Sequence, residues 1–234
     1  MARIFANNTE ITDYVGQMHL HIEGGGGGSS PQFTETKIAD NSSGGSSFTF
    51  DDDYHNYDFV RFTAYDSASN GYVFVTTTPS MLDASLSVAQ RVTIGGFGNN
   101  RYCTYSVSNS TWTIANSRAL YIYEVYGLSC NNFTVNETVI YQANSLTTAD
   151  VSISTQVDLT QFDAILFSAN SSDRTEVLPC LKVYLKESSS SWCDGMQEDN
   201  KMAFNWYNAW KSIEIDQYTI TSARYFFVVG INFT

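Results

Sequence analysis

Residues 57–62 read YDFVRF and residues 162–167 read FDAILF, each an aromatic residue and an aspartate set directly before an apolar run. A short carboxylate at the turn into a strand accepts backbone N–H groups that the turn leaves unpaired, so Asp58 and Asp163 read as structural residues. Working outward from this pair, three further blocks follow in the same order at a shift of 102–105 residues. ETKI (35–38) falls on ETVI (137–140), FTF (48–50) on VSI (151–153), and ALYIYEVYGL (119–128) on SARYFFVVGI (222–231). Class of residue recurs more than identity, as it does when one structural unit is present twice.

The runs between the blocks alternate apolar and polar with period two and are rich in β-branched and aromatic residues. FVRFTAY (59–65), YVFVTTT (72–78), YCTYSVS (102–108) and CLKVYLK (180–186) are examples, with KSIEIDQ (211–217) another. Only MLDASLSVAQ (81–90) suits a helix. The sequence therefore predicts an all-β fold of two tandem homologous β-sandwich domains, jelly-roll-like, at residues 32–130 and 131–234. Residues 24–31, GGGGGSSP preceded by IE, form a Gly/Ser linker with no side chains for a core. Ahead of it, residues 1–23 form an arm too short to fold alone. Its apolar positions Tyr14, Val15, Met18, Leu20 and Ile22 are the candidate anchoring residues, most simply onto another chain's sheet edge.

The chain has 234 residues and a net charge of −12, with 15 Tyr, 15 Phe and 4 Trp, which supports sizeable cores and repels phosphate backbones. Nucleic acid is not expected as a partner, nor is membrane insertion, since no run of 18 apolar residues occurs and the N-terminus lacks a signal-type apolar region. The four cysteines, Cys103, Cys130, Cys180 and Cys193, form no CxxC pair and read as free thiols in a reducing compartment. No cofactor is expected.

Three groups of residues carry candidate chemistry. Asp51, Asp52, Asp53 and His55 lie in FTFDDDYHNYDF (48–59), where carboxylates and an imidazole could hold a cation, although the alternation and glycine of an EF-hand loop are missing. A solvated loop is the plainer reading. His19 and His21 are spaced for a transition metal but lack a third ligand in view. Trp192, Trp206, Tyr207 and Trp210 gather before the last strand of the second copy, as Tyr102, Tyr105 and Trp112 do in the first. Flat aromatic faces of this kind bind glycans in carbohydrate-binding β-sandwiches, whereas any single ring is better explained by core or interdomain packing. No nucleophile elbow is present and all three histidines precede residue 57, so the chain reads as not an enzyme; a glycan hydrolase using the acidic cluster is the third reading.

The unit that opens on ETKI or ETVIY, passes through YDFVRF or FDAILF and closes on YIYEVYGL or YFFVVGI resembles the small β-sandwich modules of bacteriophage tail fibres, baseplates and head appendages. The resemblance spans residues 32–234. It implies a virion structural protein made in the bacterial cytoplasm, serving as capsid decoration, head fibre or host-binding tail fibre, and commonly a homo-oligomer. Its implied partners are capsid, portal or tail proteins docked through residues 1–23, with a host-surface glycan as a further partner in host attachment. No binding residue carries over, because the matching positions are scaffold. A carbohydrate-binding module or adhesin acting outside a virion is the alternative.

Overall fold

The computed structural model describes residues 5–6, 9–10, 32–67, 70–88, 91–94, 102–142, 153–154, 162–170, 176–185, 192–193, 196–198, 201–206, 209–215, 219–221 and 225–234. The anchoring candidates Tyr14, Val15, Met18, Leu20 and Ile22, the pair His19 and His21, and Tyr207 lie outside them. Strands β1 (Phe5–Ala6) and β2 (Thr9–Glu10) form a short antiparallel pair. Then come β3 (Phe33–Asp40), β4 (Ser47–Thr49), β5 (Phe59–Asp66), β6 (Gly71–Thr77), helix α1 (Pro79–Val88), β7 (Arg91–Ile94), β8 (Tyr102–Ser108), β9 (Thr111–Arg118) and β10 (Leu120–Cys130). Residues 131–134 lead into β11 (Val135–Gln142), β12 (Ile153–Ser154), β13 (Ala164–Asn170), β14 (Glu176–Leu185), β15 (Trp192–Cys193), β16 (Met196–Glu198), β17 (Lys201–Trp206), β18 (Ala209–Ile215), β19 (Thr219–Thr221) and β20 (Tyr225–Phe233). The protein is all-β apart from α1 and a 3-10 turn at Tyr54–Asn56 among the described residues.

Helix α1 starts where Pro79 presets its first φ and the Thr78 hydroxyl accepts the Met81 N–H at 3.3 Å. It buries Met81, Leu82, Ala84 and Ser85, whose hydroxyl is taken up by the Met81 carbonyl at 2.7 Å. The helix expected within 81–90 is thus present and starts two residues earlier, at a cap that the residue pattern alone understates.

One sheet has the order β3-β10-β5-β6, and the same order recurs as β11-β20-β13-β14; likewise β4-β9-β8-β7 recurs as β12-β19-β18-β17, with β16 added at its edge. Irregularities recur too. The β3/β10 pairing skips Ile38 between Lys37↔Tyr126 and Ala39↔Val125, and the β11/β20 pairing skips Ile140 between Val139↔Val229 and Tyr141↔Val228. In β5/β10 the skipped residue is Tyr123, and in β13/β20 it is Phe226. Bulges bend and twist a strand at a fixed place, so matched bulges mean that matched strands follow the same path. Within each half, the third and fourth strands of the first sheet are consecutive, and β7-β8-β9 is a meander within one sheet.

The opening motif is a clamp. Asp58 donates its backbone N–H to the Leu128 carbonyl at 3.0 Å, and its carboxylate accepts the Cys130 N–H at 2.7 Å. Asp163 does the same with the Ile231 carbonyl at 2.9 Å and the Phe233 N–H at 3.0 Å. The structural role read from the sequence holds at both aspartates. The preceding aromatic lies on a glycine of the partner strand: a Cβ on Gly127 would come within 2.3 Å of the Tyr57 ring atoms, and one on Gly230 within 2.4 Å of those of Phe162. The glycine of YGL and VGI is therefore needed for space, not for unusual backbone angles.

In residues 33–130 the sheet β3-β10-β5-β6 faces β4, β9 and β8 across an aromatic core. Trp112 packs against Phe48 at 5.7 Å, Phe50 at 5.5 Å and Phe62 at 5.4 Å, while the buried Tyr105 hydroxyl accepts the Ile122 N–H at 2.7 Å. Trp112 and Tyr105 are thus core residues, 2% and 0% exposed, and cannot form a glycan platform. The apolar core runs on without a break into Ala164, Leu166, Phe227, Val229 and Ile231 of the second half. The halves are further joined by a parallel pairing of β7 with β14, at Arg91↔Glu176 and Val92↔Val177, and α1 lies against β14 and β20.

Candidate functional site

The acidic stretch folds into a polar buckle. Asp53 caps the 3-10 turn by accepting the His55 N–H at 3.0 Å, as short acidic side chains do at helix starts. Its same oxygen lies 2.6 Å from His55 Nδ1, while His55 Nε2 lies 2.8 Å from Asp83 Oδ2 on α1. Tyr54 donates to the other Asp83 oxygen and stacks on His55 with ring centroids 4.2 Å apart. Asp52 accepts from the Tyr57 hydroxyl at 2.7 Å and from the Asn56 amide at 3.2 Å.

Because carboxylates face both ring nitrogens, the charged imidazolium is favoured: hydrogen bonding to Asp53, then to Asp83, raises the His55 pKa. The Asp53 pKa is lowered by the His55 backbone and side chain, and that of Asp52 chiefly by Tyr57. An imidazolium that donates from both nitrogens has no lone pair for a metal. Among the described residues no group of three or more His, Cys, Asp and Glu is arranged to hold a metal ion. The arrangement ties the start of β5 to α1, and Asp51 is an exposed neighbour.

A second feature was not read from the sequence. The outer face of the sheet β3-β10-β5-β6 carries a connected array of tyrosines, in which Tyr65 meets Tyr72 and Tyr121, each at 5.5 Å, and Tyr72 meets Tyr123 at 5.4 Å. Tyr72 and Tyr121 are the register partners of Tyr65 on the two flanking strands, which places the rings side by side. Tyr72 is 44% exposed and the others are half-buried. Next along the face, Arg61 lies over Tyr126 at 5.0 Å and Phe74 at 5.8 Å and forms a two-pronged ion pair with Glu35. Lys37 bridges Asp40 at 2.6 Å and Glu124 at 3.3 Å. The available signal was YIYEVY (121–126), where outward-facing tyrosines alternate with core residues until the bulge at Tyr123 resets the phase.

The aromatic candidates of the second half are distributed over short strands. Trp192 lies on β15 and pairs in register with Tyr184; Trp206 and Trp210 flank the β17/β18 turn, in register with Ala209 and Asn205. The hairpin brings Trp206 and Trp210 close along the chain, and Trp192 lies in a different sheet. Comparison with protein-family models, with curated proteins and with solved structures gave no match to this chain.

Proposed function

We propose that the chain is a non-enzymatic structural appendage of a bacteriophage virion, built from two tandem homologous β-sandwich copies, residues 32–130 and 131–234. The observation that carries the reading is the recurrence of strand order, both bulges and the aromatic-Asp clamp on glycine, alongside an acidic stretch, Asp51–Asp53 with His55, whose residue types are not repeated in the second half of the sequence. What the two copies hold in common is scaffold, as in a part selected for shape and assembly. The sequence motifs of the clamp are also those that resemble modules of phage fibres, baseplates and head appendages.

In this reading residues 1–23 dock onto capsid, portal or tail proteins, residues 24–31 act as a tether, and the duplicated region projects, in a homo-oligomer. Removing residues 1–23 is expected to leave folded protein that no longer joins particles when supplied during assembly. Incorporation of the truncated chain at the level of the full one overturns the docking role.

A further inference from the structure

We propose that the tyrosine array of Tyr65, Tyr72, Tyr121 and Tyr123 is a binding platform for a neutral polysaccharide, with Lys37 and Glu124 at its polar rim. The site is separate from the Trp192, Trp206, Tyr207 and Trp210 group, and the inference does not depend on the virion reading.

The chemistry of the surface selects the ligand. Four phenols in one connected array present ring faces to apolar C–H groups and hydroxyls to polar ones, the combination a pyranose ring offers in return. Tyrosine also gives contact area at a low cost in side-chain freedom, since only two torsions are fixed on binding. Exposed aromatic clusters on a folded surface are uncommon without a partner. The opposite end of the same sheet is already occupied: Phe33, beside Cys130 in register, packs on Phe59 at 5.7 Å and on Phe233 of the second half at 6.5 Å. The tyrosine end has no such cover among the described residues.

Charge narrows the class further. The nearby cations, Lys37 and Arg61, are each held by carboxylates, Asp40 with Glu124 and Glu35 respectively, and so offer no free positive charge to an anionic chain. A chain of net charge −12 adds a long-range field of the same sign. A second observation points to a hydroxyl-rich ligand. The hydroxyl of Thr63, two residues before Tyr65 on β5 and in register with Glu124, is buried and lacks a hydrogen-bond partner among the described residues. Buried unpaired polar atoms are costly and call for a partner, which sugar hydroxyls supply when the bordering rings adjust.

The test is affinity electrophoresis of the full chain in gels containing dextran, mannan, galactan or β-glucan, with dextran sulfate as the anionic arm. Retardation in at least one neutral gel is expected, weakened at least tenfold by Tyr72→Ala with Tyr123→Ala and unchanged by Trp206→Ala with Trp210→Ala. Tyr72→Ser alone, at the most exposed ring, is expected to weaken it several-fold and serves if the double variant unfolds. No retardation in any neutral gel, retardation by dextran sulfate only, undiminished binding in the tyrosine variants, or loss confined to the tryptophan variants each overturns the proposal. None of these outcomes alters whether the protein enters particles, which the truncation of residues 1–23 reads separately.

Discussion

Tyr57 and Phe162 occupy the same place in the two halves of the chain, each lying on a glycine of the neighbouring strand and each followed by the clamping aspartate. They differ by one hydroxyl. In the first half it reaches Asp52 and links the clamp to the polar buckle; in the second the ring is 2% exposed and wholly apolar in its role. The tyrosine array shows the same contrast, because Tyr65, Tyr121 and Tyr123 fall opposite Asn170, Arg224 and Phe226. Strand order and bulge positions recur, while the residue types that form the buckle and the tyrosine array in the first half are not repeated at the opposite positions of the sequence. The positions that match between the halves are those the strand pairing uses, and those that differ carry the first half's polar and aromatic side-chain contacts.

The largest break in that comparison should come at the glycines. Gly230→Ala places a methyl group 2.4 Å from the buried Phe162 ring, which has nowhere to move, and overpacking of this kind is expected to cost about 3 kcal/mol. Tyr57 is half-buried and can swing outward, giving up its bond to Asp52, so Gly127→Ala is expected to cost about 1 kcal/mol. Urea denaturation of both variants measures the difference. Equal losses would mean that the two rings are held alike and that exposure of Tyr57 gives no relief.

The aspartates come next and should behave alike. Asp58→Ala and Asp163→Ala each remove a carboxylate that accepts a strand N–H, a charge-assisted bond whose loss is expected to cost about 1.5–3 kcal/mol. The two sites share no partner, so their effects in the double variant should add to within about 0.5 kcal/mol. A clear departure from additivity in denaturation would show that the two clamps communicate through the common core.

Much of this scaffold is legible in the sequence. Aromatic-Asp before an apolar run gives the clamp, and the spaced blocks give the repeated strands, because both depend on local residue class. What escapes is set by contacts distant in the chain. His55 reads as a candidate cation ligand until Asp83, 28 residues away on α1, occupies its second nitrogen. The tyrosine array needs β5, β6 and β10 in register before its members become neighbours. Trp112 could not be assigned to core or surface by spacing, since one outward and one inward tryptophan look the same in an alternating strand.

The smallest expected effect lies in the buckle of the first half, and it is a pH effect. Because the folded state raises the His55 pKa above its ordinary value of about 6.5, its contribution is complete below that value and is lost as pH rises through the folded pKa. Asp53 runs the other way: its pKa is lowered, so its contribution is complete above its unfolded value, about 3.9, and is lost as pH falls through the folded one. The pairing is therefore strongest between about pH 4 and 6.5 and weakens on either side. These side chains are largely exposed, so solvent screens the pair and the change in stability is small. NMR titration of the imidazole C–H signals resolves it better than denaturation: His55 should titrate above the ordinary value of about 6.5, and Asp83→Asn should lower its midpoint without unfolding the chain. A His55 midpoint at or below the ordinary value would mean that the imidazole is not held between its two carboxylates, and would return a nitrogen lone pair to the question of cation binding.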